Sequence, residues 1–525
     1  MSSSIMECLT FIASLSLRTS HPPPSVTHRG AVGREGKAVL ARISLIMLRV
    51  NFKSRTIRFV GAHALILALA LSGCAHFQPR PISPARSLAA YENRSLYRPG
   101  LDAFLAANHV PPPALGRRWD LKSLTLAAFY YQPSLAYARA QLLAAEAARI
   151  TAAERPNPSL SVSPAHDSGI PGAPSPWIVP LGMDWPIETA GRRGDRMGVA
   201  RHLAAAARWN LVGTVWEVRN RLRAALLALY AAYRSEVLLA RQEAAQRTVL
   251  KLLEEQFKAG VVSSYELTQG RITLDRTMFA RQAREGNIRE ARIALADAIG
   301  VPARALRHVE FAFSGFDEFP QNLTRPDVRR DALLGRSDVR AALERYAASQ
   351  SALKLEIARQ WPNISLGPGY AWNAQLAGDN EWKLGLSVTL PVLNHNQGPI
   401  AEARARRRTA AARFIAIQSA AVGQIDGALA AYRSALTQLQ TANALLSSLH
   451  RQLTAIREQV RAGERQPLDL ATAEVTFYAA VQSRLAADLS AQRALGALED
   501  AMQSPLTLSP SAVQSAQSES ASTVP

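Results

Sequence analysis

The stretch Trp382-Lys383-Leu384-Gly385-Leu386-Ser387-Val388-Thr389-Leu390-Pro391-Val392-Leu393-Asn394-His395-Asn396-Gln397-Gly398-Pro399 decides how this chain folds. Leu384, Leu386, Val388 and Leu390 alternate with Gly385, Ser387 and Thr389. Successive side chains of a strand point to opposite sides, so the run predicts a strand with one apolar face and one small or polar face. Pro391 breaks the strand, and Pro399 stands where a first helical turn tolerates proline. After Ile400 the next proline is Pro467, so about 65 residues can be helical, a rod of roughly 100 Å. Leu446, Leu449, Leu453, Ile456 and Val460 step by three and four, the spacing of a coiled-coil seam. A compact globular domain has little use for so long a helix. Something has to be spanned.

Working outward, the same order occurs earlier in the chain. Trp177, Val179, Leu181, Met183 and Trp185 alternate along a strand, Pro186 follows, and Gly191–Gly194 leads into a helix reaching Ala259. Leu222, Leu226, Leu229, Tyr233 and Val237 form its stripe. Pro158-Ser159-Leu160-Ser161-Val162 matches Pro362-Asn363-Ile364-Ser365-Leu366 at an offset of 204, and Trp185-Pro186-Ile187 matches Leu390-Pro391-Val392 at 205. Lys258-Ala259-Gly260 with Tyr265-Glu266-Leu267 matches Arg461-Ala462-Gly463 with Leu468-Asp469-Leu470 at 203. Near-constant offsets over a hundred residues mark an internal repeat. Each unit reads helix, strand, strand, long helix, tight turn, helix, with the first at 119–300, the second at 336–502 and a connector at 301–335.

The N-terminal stretch before the repeats carries an address. Basic residues in Arg49–Arg58, the apolar run Ala62–Leu71 and Leu71-Ser72-Gly73-Cys74 outline an export signal over 47–73. The apolar run is too short to span a bilayer. Residues 1–46 have no place upstream of such a signal, so Met47 is expected as the start. Residues 74–118, with Pro79, Pro81, Pro84, Pro99 and Pro111-Pro112-Pro113, are expected to be an extended N-terminal segment, and 503–525 a disordered Ser/Ala/Pro-rich tail. The formal charge is +20. Residues 1–73 hold 9 Lys+Arg and 2 Asp+Glu, so the remainder carries (61−9)−(41−2) = +13. These basic residues are spread along helices rather than clustered with aromatics, which argues against nucleic acid. Cys8 and Cys74 leave no disulfide or metal pattern.

Four strands per chain cannot close a barrel, and strands in a bilayer cannot leave open edges. Three chains would supply twelve strands. Gly182, Gly367, Gly369 and Gly385 suit tight curvature or bulges. At this point the residues resemble a family. The two-repeat layout, the Leu-Ser-Gly-Cys lipobox and the helix hairpins with glycine at their turns resemble the TolC-type outer membrane factors over roughly residues 95–502. Pro186-Ile187-Glu188-Thr189-Ala190-Gly191-Arg192-Arg193-Gly194 and Leu390–Gly398 are similar to the strand-to-helix junctions of the outer membrane component in cobalt-zinc-cadmium type cation efflux. Thr189-Ala190, Leu393 and His395 depart from that family form.

The resemblance implies a mainly α fold with a small membrane β-barrel, homotrimeric and 12-stranded, continued by an α-helical periplasmic tunnel. It implies a lipid-anchored outer membrane duct, Cys74 being lipidated, that works with a periplasmic adaptor and an inner-membrane pump of RND type. Divalent cations are the expected cargo, with multidrug efflux and type I secretion as alternatives of the same fold. A coiled-coil tether without a pore is the reading from another class, and it would need no strands. No enzyme and no cofactor are implied. His76, His109, His166, His202, His308, His395 and His450 are scattered singly, so no metal site is expected. Glu254-Glu255 reads as a solvated face, and no phosphate-binding loop occurs, so energy must come from a partner. The turns put Gly260, Val261, Ser263, Gly463, Glu464 and Arg465 about 100 Å of helix from the strands, where the family contacts its adaptor. Arg461, Glu464 and Asp469 are the candidate gate charges.

Overall fold

The structure, a computed structural model, describes residues 77–111, 118–166, 177–317, 319–320, 326–373 and 379–504. The export signal, Cys74, His76 and the tail beyond residue 504 lie outside the described residues. Residues 77–87 belong to a unit of their own, and residues from Leu88 onward form a second, much larger one.

The segment expected to be extended is partly helical. Helix α1 spans Pro84–Glu92 and α2 spans Pro99–Ala107. Proline at a first helical position forfeits no hydrogen bond, since that N–H has no partner within the helix. Prolines that read as breakers are therefore starters here. Leu101 and Leu105, one turn apart on α2, are fully buried, so burial rather than propensity fixes this helix. Between the two, Arg94 donates to Tyr131 O at 2.9 Å and Gly300 O at 2.7 Å. That ties the N-terminal segment to two helix ends.

Helices α3 (Leu121–Tyr131) and α4 (Pro133–Ala153) precede strands β1 (Ser159–Val162), β2 (Ala165–His166) and β3 (Trp177–Ile187). Then come α5 (Arg192–Lys258) and α6 (Ser264–Ile299). The connector holds two 3-10 turns and α7 (Pro326–Gly335), and Trp119 bridges to Phe311 within it. The second repeat is α8 (Ser337–Ala358), β4 (Ile364–Asn373), β5 (Asp379–Val388), α9 (Gln397–Arg461) and α10 (Pro467–Met502). With 67 and 65 residues, α5 and α9 are each about 100 Å long.

The repeat persists in the packing at the 203 offset. Leu222, Leu229, Leu295 and Ile299 are buried in the first unit, and Ile425, Tyr432, Leu498 and Met502 are buried in the second. The largest core gathers Leu222 and Leu226 of α5, Leu295 and Ile299 of α6, Leu124 of α3 and Phe311 and Phe316 of the connector. Val237, placed by spacing on the α5 stripe, is exposed. The stripe's steps of 4, 3, 4 and 4 carry Val237 about 60° past Leu222 at 3.6 residues per turn, and Leu239 is buried instead. In α9, Leu453 and Ile456 of the predicted seam are buried. An 18-residue window of α9 has a mean hydropathy of 1.3 with 11% of it buried, so much of this alanine-rich helix is left bare by the described residues.

Candidate functional site

The strands form an antiparallel sheet in the order β1-β3-β4-β5, with β2 also on β3. Residues directly opposite share a face. One row is Val162, Leu181, Tyr370 and Trp382, and another is Trp185, Leu366 and Leu386. Val179 with Trp372, and Ile187 with Ile364 and Val388, complete an apolar face. Trp382 is 82% and Leu384 79% exposed. The opposite face carries Ser161, Gly182, Gly369 and Lys383 in one row, then Gly367 with Gly385 and Ser365 with Ser387. All four strand glycines lie on this side. A Cβ on Gly367 would sit 3.4 Å from Met183 O and 3.9 Å from Gly385 Cα. Lys383 pairs with Glu381 at 3.0 Å on the same polar face. Leaving a large apolar side chain in water instead of burying it costs about 1.5–3 kcal/mol, so the apolar face requires a nonaqueous cover. Strands of 10 and 11 residues match the 9–11 residues a tilted strand needs to cross a bilayer.

At the strand-to-helix junctions the two motifs act as elbows. Gly191 (φ +73°) and Asn396 (φ +62°) occupy equivalent left-handed positions immediately before α5 and α9. Asparagine is among the few non-glycine residues that enter this region readily. Arg193 Nε donates to Ala153 O at 2.7 Å, and Arg196 donates to Ala152 O and Glu154 O, both at 2.9 Å. Arg192 reaches Ala358 O and Trp361 O, and Asn363 Oδ1 at 2.7 Å. These guanidiniums satisfy the orphan carbonyls where α4 and α8 end. Asn396 Nδ2 does the same for Glu356 O at 2.7 Å. Thr189 Oγ1 donates to Pro362 O at 2.6 Å. The Arg196 hydrogen bonds, 2.5 and 3.1 Å long, hold the Glu188 carboxyl below the usual range. Residues read from the sequence as a cation-efflux signature thus brace the turn. Among the described residues no group of three or more His, Cys, Asp or Glu could hold a metal ion.

At the other end, Gly260 (φ +73°) and Gly463 (φ +80°) close the two hairpins in the left-handed conformation. Val261 N donates to Gln256 O at 2.9 Å and Glu464 N to Gln459 O at 2.8 Å, the same motif twice. Ser263 and Glu266 form a capping box at the start of α6, and Gln466 and Asp469 form its counterpart at α10. Asp469, a candidate gate charge, therefore also starts a helix. Gln256 Nε2 donates to Gln466 Oε1 at 2.8 Å, which joins the two tips of one chain. Val261 is 67% exposed, and Arg461, Glu464 and Arg465 are exposed too. Within one chain no ion pair forms among the described tip charges.

One buried cluster escaped the sequence reading. Glu499 of α10 accepts from Arg219 Nη2 of α5 at 3.0 Å, and Arg223 Nε stands 3.5 Å away. Arg223 also donates to Gln492 O and Oε1, both at 2.8 Å, and Gln492 Nε2 donates to Phe316 O at 2.7 Å. Burial depresses the Arg223 pKa, and the Glu499 charge opposes that. A Cβ on Gly496 would lie 2.4 Å from Arg223 Nη1. The brace joins both repeats through the connector.

The pattern of the outer membrane efflux protein family matches residues 128–301 and 328–503, once per repeat. The chain belongs to this outer membrane efflux protein family. Proteins of the family are efflux channels rather than enzymes. The pyoverdine export outer membrane protein OpmQ of Pseudomonas aeruginosa is 27% identical over 153 residues. That match covers 28% of this chain and 32% of OpmQ, so it spans about a third of that relative. The solved structure of VceC from Vibrio cholerae superposes with a TM-score of 0.60 at 18% identity, covering 73% of this chain and 96% of VceC. CusC, studied for its folding and transmembrane channel formation, gives a TM-score of 0.59 at 19% identity over 73% of this chain and 92% of CusC. At such identities the likeness to both structures is one of fold.

Proposed function

We propose that three copies of this chain, each counting β1 and β2 as one interrupted strand in a single register on β3, close their sheets edge to edge into one 12-stranded outer membrane barrel. The apolar face meets lipid, and the small and polar face lines the lumen. Helices α5, α6, α9 and α10 continue the duct into the periplasm, and neighbouring copies cover the bare side of α9. The duct is passive. A periplasmic adaptor docks at the hairpin tips, and an RND-type inner-membrane pump supplies the energy. A lipid on Cys74 adds a second anchor. One observation carries this reading, a two-faced sheet whose β1 and β5 edges are open among the described residues.

The test places charge on each face in turn. Leu386→Arg puts a guanidinium on the apolar side, which costs about 2–4 kcal/mol near the middle of a bilayer. Ser387→Arg puts the same group on the other side. The first variant should fail to form a detergent-resistant trimer in the outer membrane, and the second should assemble. Equal behaviour of the two would overturn the assignment of faces.

Divalent cations are the proposed cargo, supported by the two junction motifs. The similarity to a pyoverdine export protein favours a second reading, pyoverdine or a molecule like it as cargo. A deletion strain separates them. Cation export predicts sensitivity to cobalt, zinc or cadmium, whereas the second reading predicts retention of a pyoverdine-like molecule inside the cell.

A further inference from the structure

A cleft of about 250 Å³ lies between α8 and α9, lined by Ala342, Arg345, Arg406, Thr409, Ala410 and Arg413. Arg406 and Arg413 sit about 14 and 24 Å along α9 from its start at Gln397, at 1.5 Å per residue. We infer that this cleft binds a phosphate-bearing anion between Arg345, Arg406 and Arg413. Three arginines line it, and the only carboxylate engaging any of them among the described residues is Glu402, paired with Arg406. Arg345 gives one hydrogen bond, to the neutral Oδ1 of Asn210 at 2.9 Å. Arg413 has no hydrogen bond or ion pair among the described residues. Thr409 spends its hydroxyl proton on Ala405 O, so the donors offered to a ligand are the arginines'. Burial, and then the facing Arg413 charge, depress the Arg345 pKa. An anion in the cleft would relieve that repulsion.

The number of arginines favours phosphate over carboxylate. One guanidinium fork satisfies both oxygens of a planar carboxylate. Three forks arriving from two helices suit an oxyanion with more oxygens and more than one negative charge. The source is a lipid headgroup or free phosphate, and the two are separable. Neither the cleft nor the experiment depends on the cargo of the duct.

The experiment uses the full-length protein in detergent. Thermal unfolding is followed against inorganic phosphate, with chloride at matched ionic strength as reference. Native mass spectrometry with phosphatidylglycerol or phosphatidylcholine forms the lipid arm. The midpoint should rise saturably with phosphate, or phosphatidylglycerol should stay bound where phosphatidylcholine does not. The first result assigns a free oxyanion, the second a lipid headgroup, and each supports the site. Arg345→Gln and Arg413→Gln should weaken whichever ligand binds about tenfold, the loss of one charge-assisted fork. Arg404→Gln, on the same helix but outside the cleft, should leave it unchanged. The inference fails if neither ligand binds saturably, or if Arg404→Gln weakens binding as much as Arg413→Gln. It also fails if Arg413→Gln splits the assembled oligomer without any anion, because a carboxylate of a neighbouring copy then fills the cleft.

Discussion

Removing the carboxylate at the centre of the buried brace tests the packing between the repeats. Glu499 is fully buried and faces Arg219 at 3.0 Å and Arg223 at 3.5 Å. Glu499→Ala would leave two like charges desolvated beside each other. Deleting one partner of a buried ion pair costs about 3–5 kcal/mol, because the remaining charge keeps its burial penalty. Unfolding entropy is about 2.1 cal/mol/K per residue, so for roughly 400 residues melting together the loss is a drop of about 4–6 °C in Tm. The assay is thermal unfolding of purified protein followed by circular dichroism. Arg219→Met combined with Glu499→Leu should recover part of the loss, since apolar residues of similar size replace buried ion pairs at little cost. Arg223 keeps its two bonds to Gln492 in that variant. A midpoint unchanged by Glu499→Ala, or a double variant as unstable as the single losses summed, would refute the reasoning.

Cys74→Ala should abolish labelling by fatty-acid analogues, and labelling that persists would remove the lipid anchor. Gly260→Val and Gly463→Val force a β-branched residue into left-handed backbone at about 1–2 kcal/mol each. Those variants should reach the outer membrane yet fail to export, and wild-type export would reduce the tips to simple turns. Glu464→Ala and Asp469→Ala should make the duct leaky to a dye, with Asp469→Ala also losing about 1 kcal/mol of helix capping. Glu243 accepts hydrogen bonds from Arg281 at 2.9 Å and Arg247 at 2.7 Å, and these hold its carboxyl below the usual range. A depressed carboxyl stabilises the fold above its unfolded pKa, and that stability is lost as pH falls through the folded value. Tm should therefore fall more steeply with acidification in the wild type than in Glu243→Gln. Parallel acid limbs would show that the carboxylate adds nothing.

The features legible in the sequence were those written in short periods. Strand alternation around Leu384–Leu390, the glycines at 260 and 463 and the near-constant offsets all report local backbone geometry, which a single chain spells out. The offset even foretells pairs of core residues, such as Leu222 with Ile425. The N-terminal helices were hidden because Pro84 and Pro99 read as breakers until their place at a helix start is known. The Arg219–Glu499 pair was hidden because its members stand 280 residues apart. On a helix with charges throughout, nothing local marks Arg219 as buried. The junction motifs were visible as patterns, but their work depends on where α4 and α8 end in space. Arg192, Arg193 and Arg196 could be quoted from the sequence and understood only beside Ala153 and Ala358.

The open edges of the sheet set a deadline on biosynthesis. Among the described residues, a single chain presents unpaired backbone on the outer side of β1 and along β5, where Trp382 and Leu384 are almost bare. Such an edge is a template for any extended segment that drifts past. A newly exported copy therefore cannot wait in the aqueous compartment as a finished part. On the proposed trimer, it has to be escorted, or meet its siblings at the bilayer before a wrong strand finds it. The concentration of unassembled chains, more than their individual stability, then decides whether production yields ducts or aggregates.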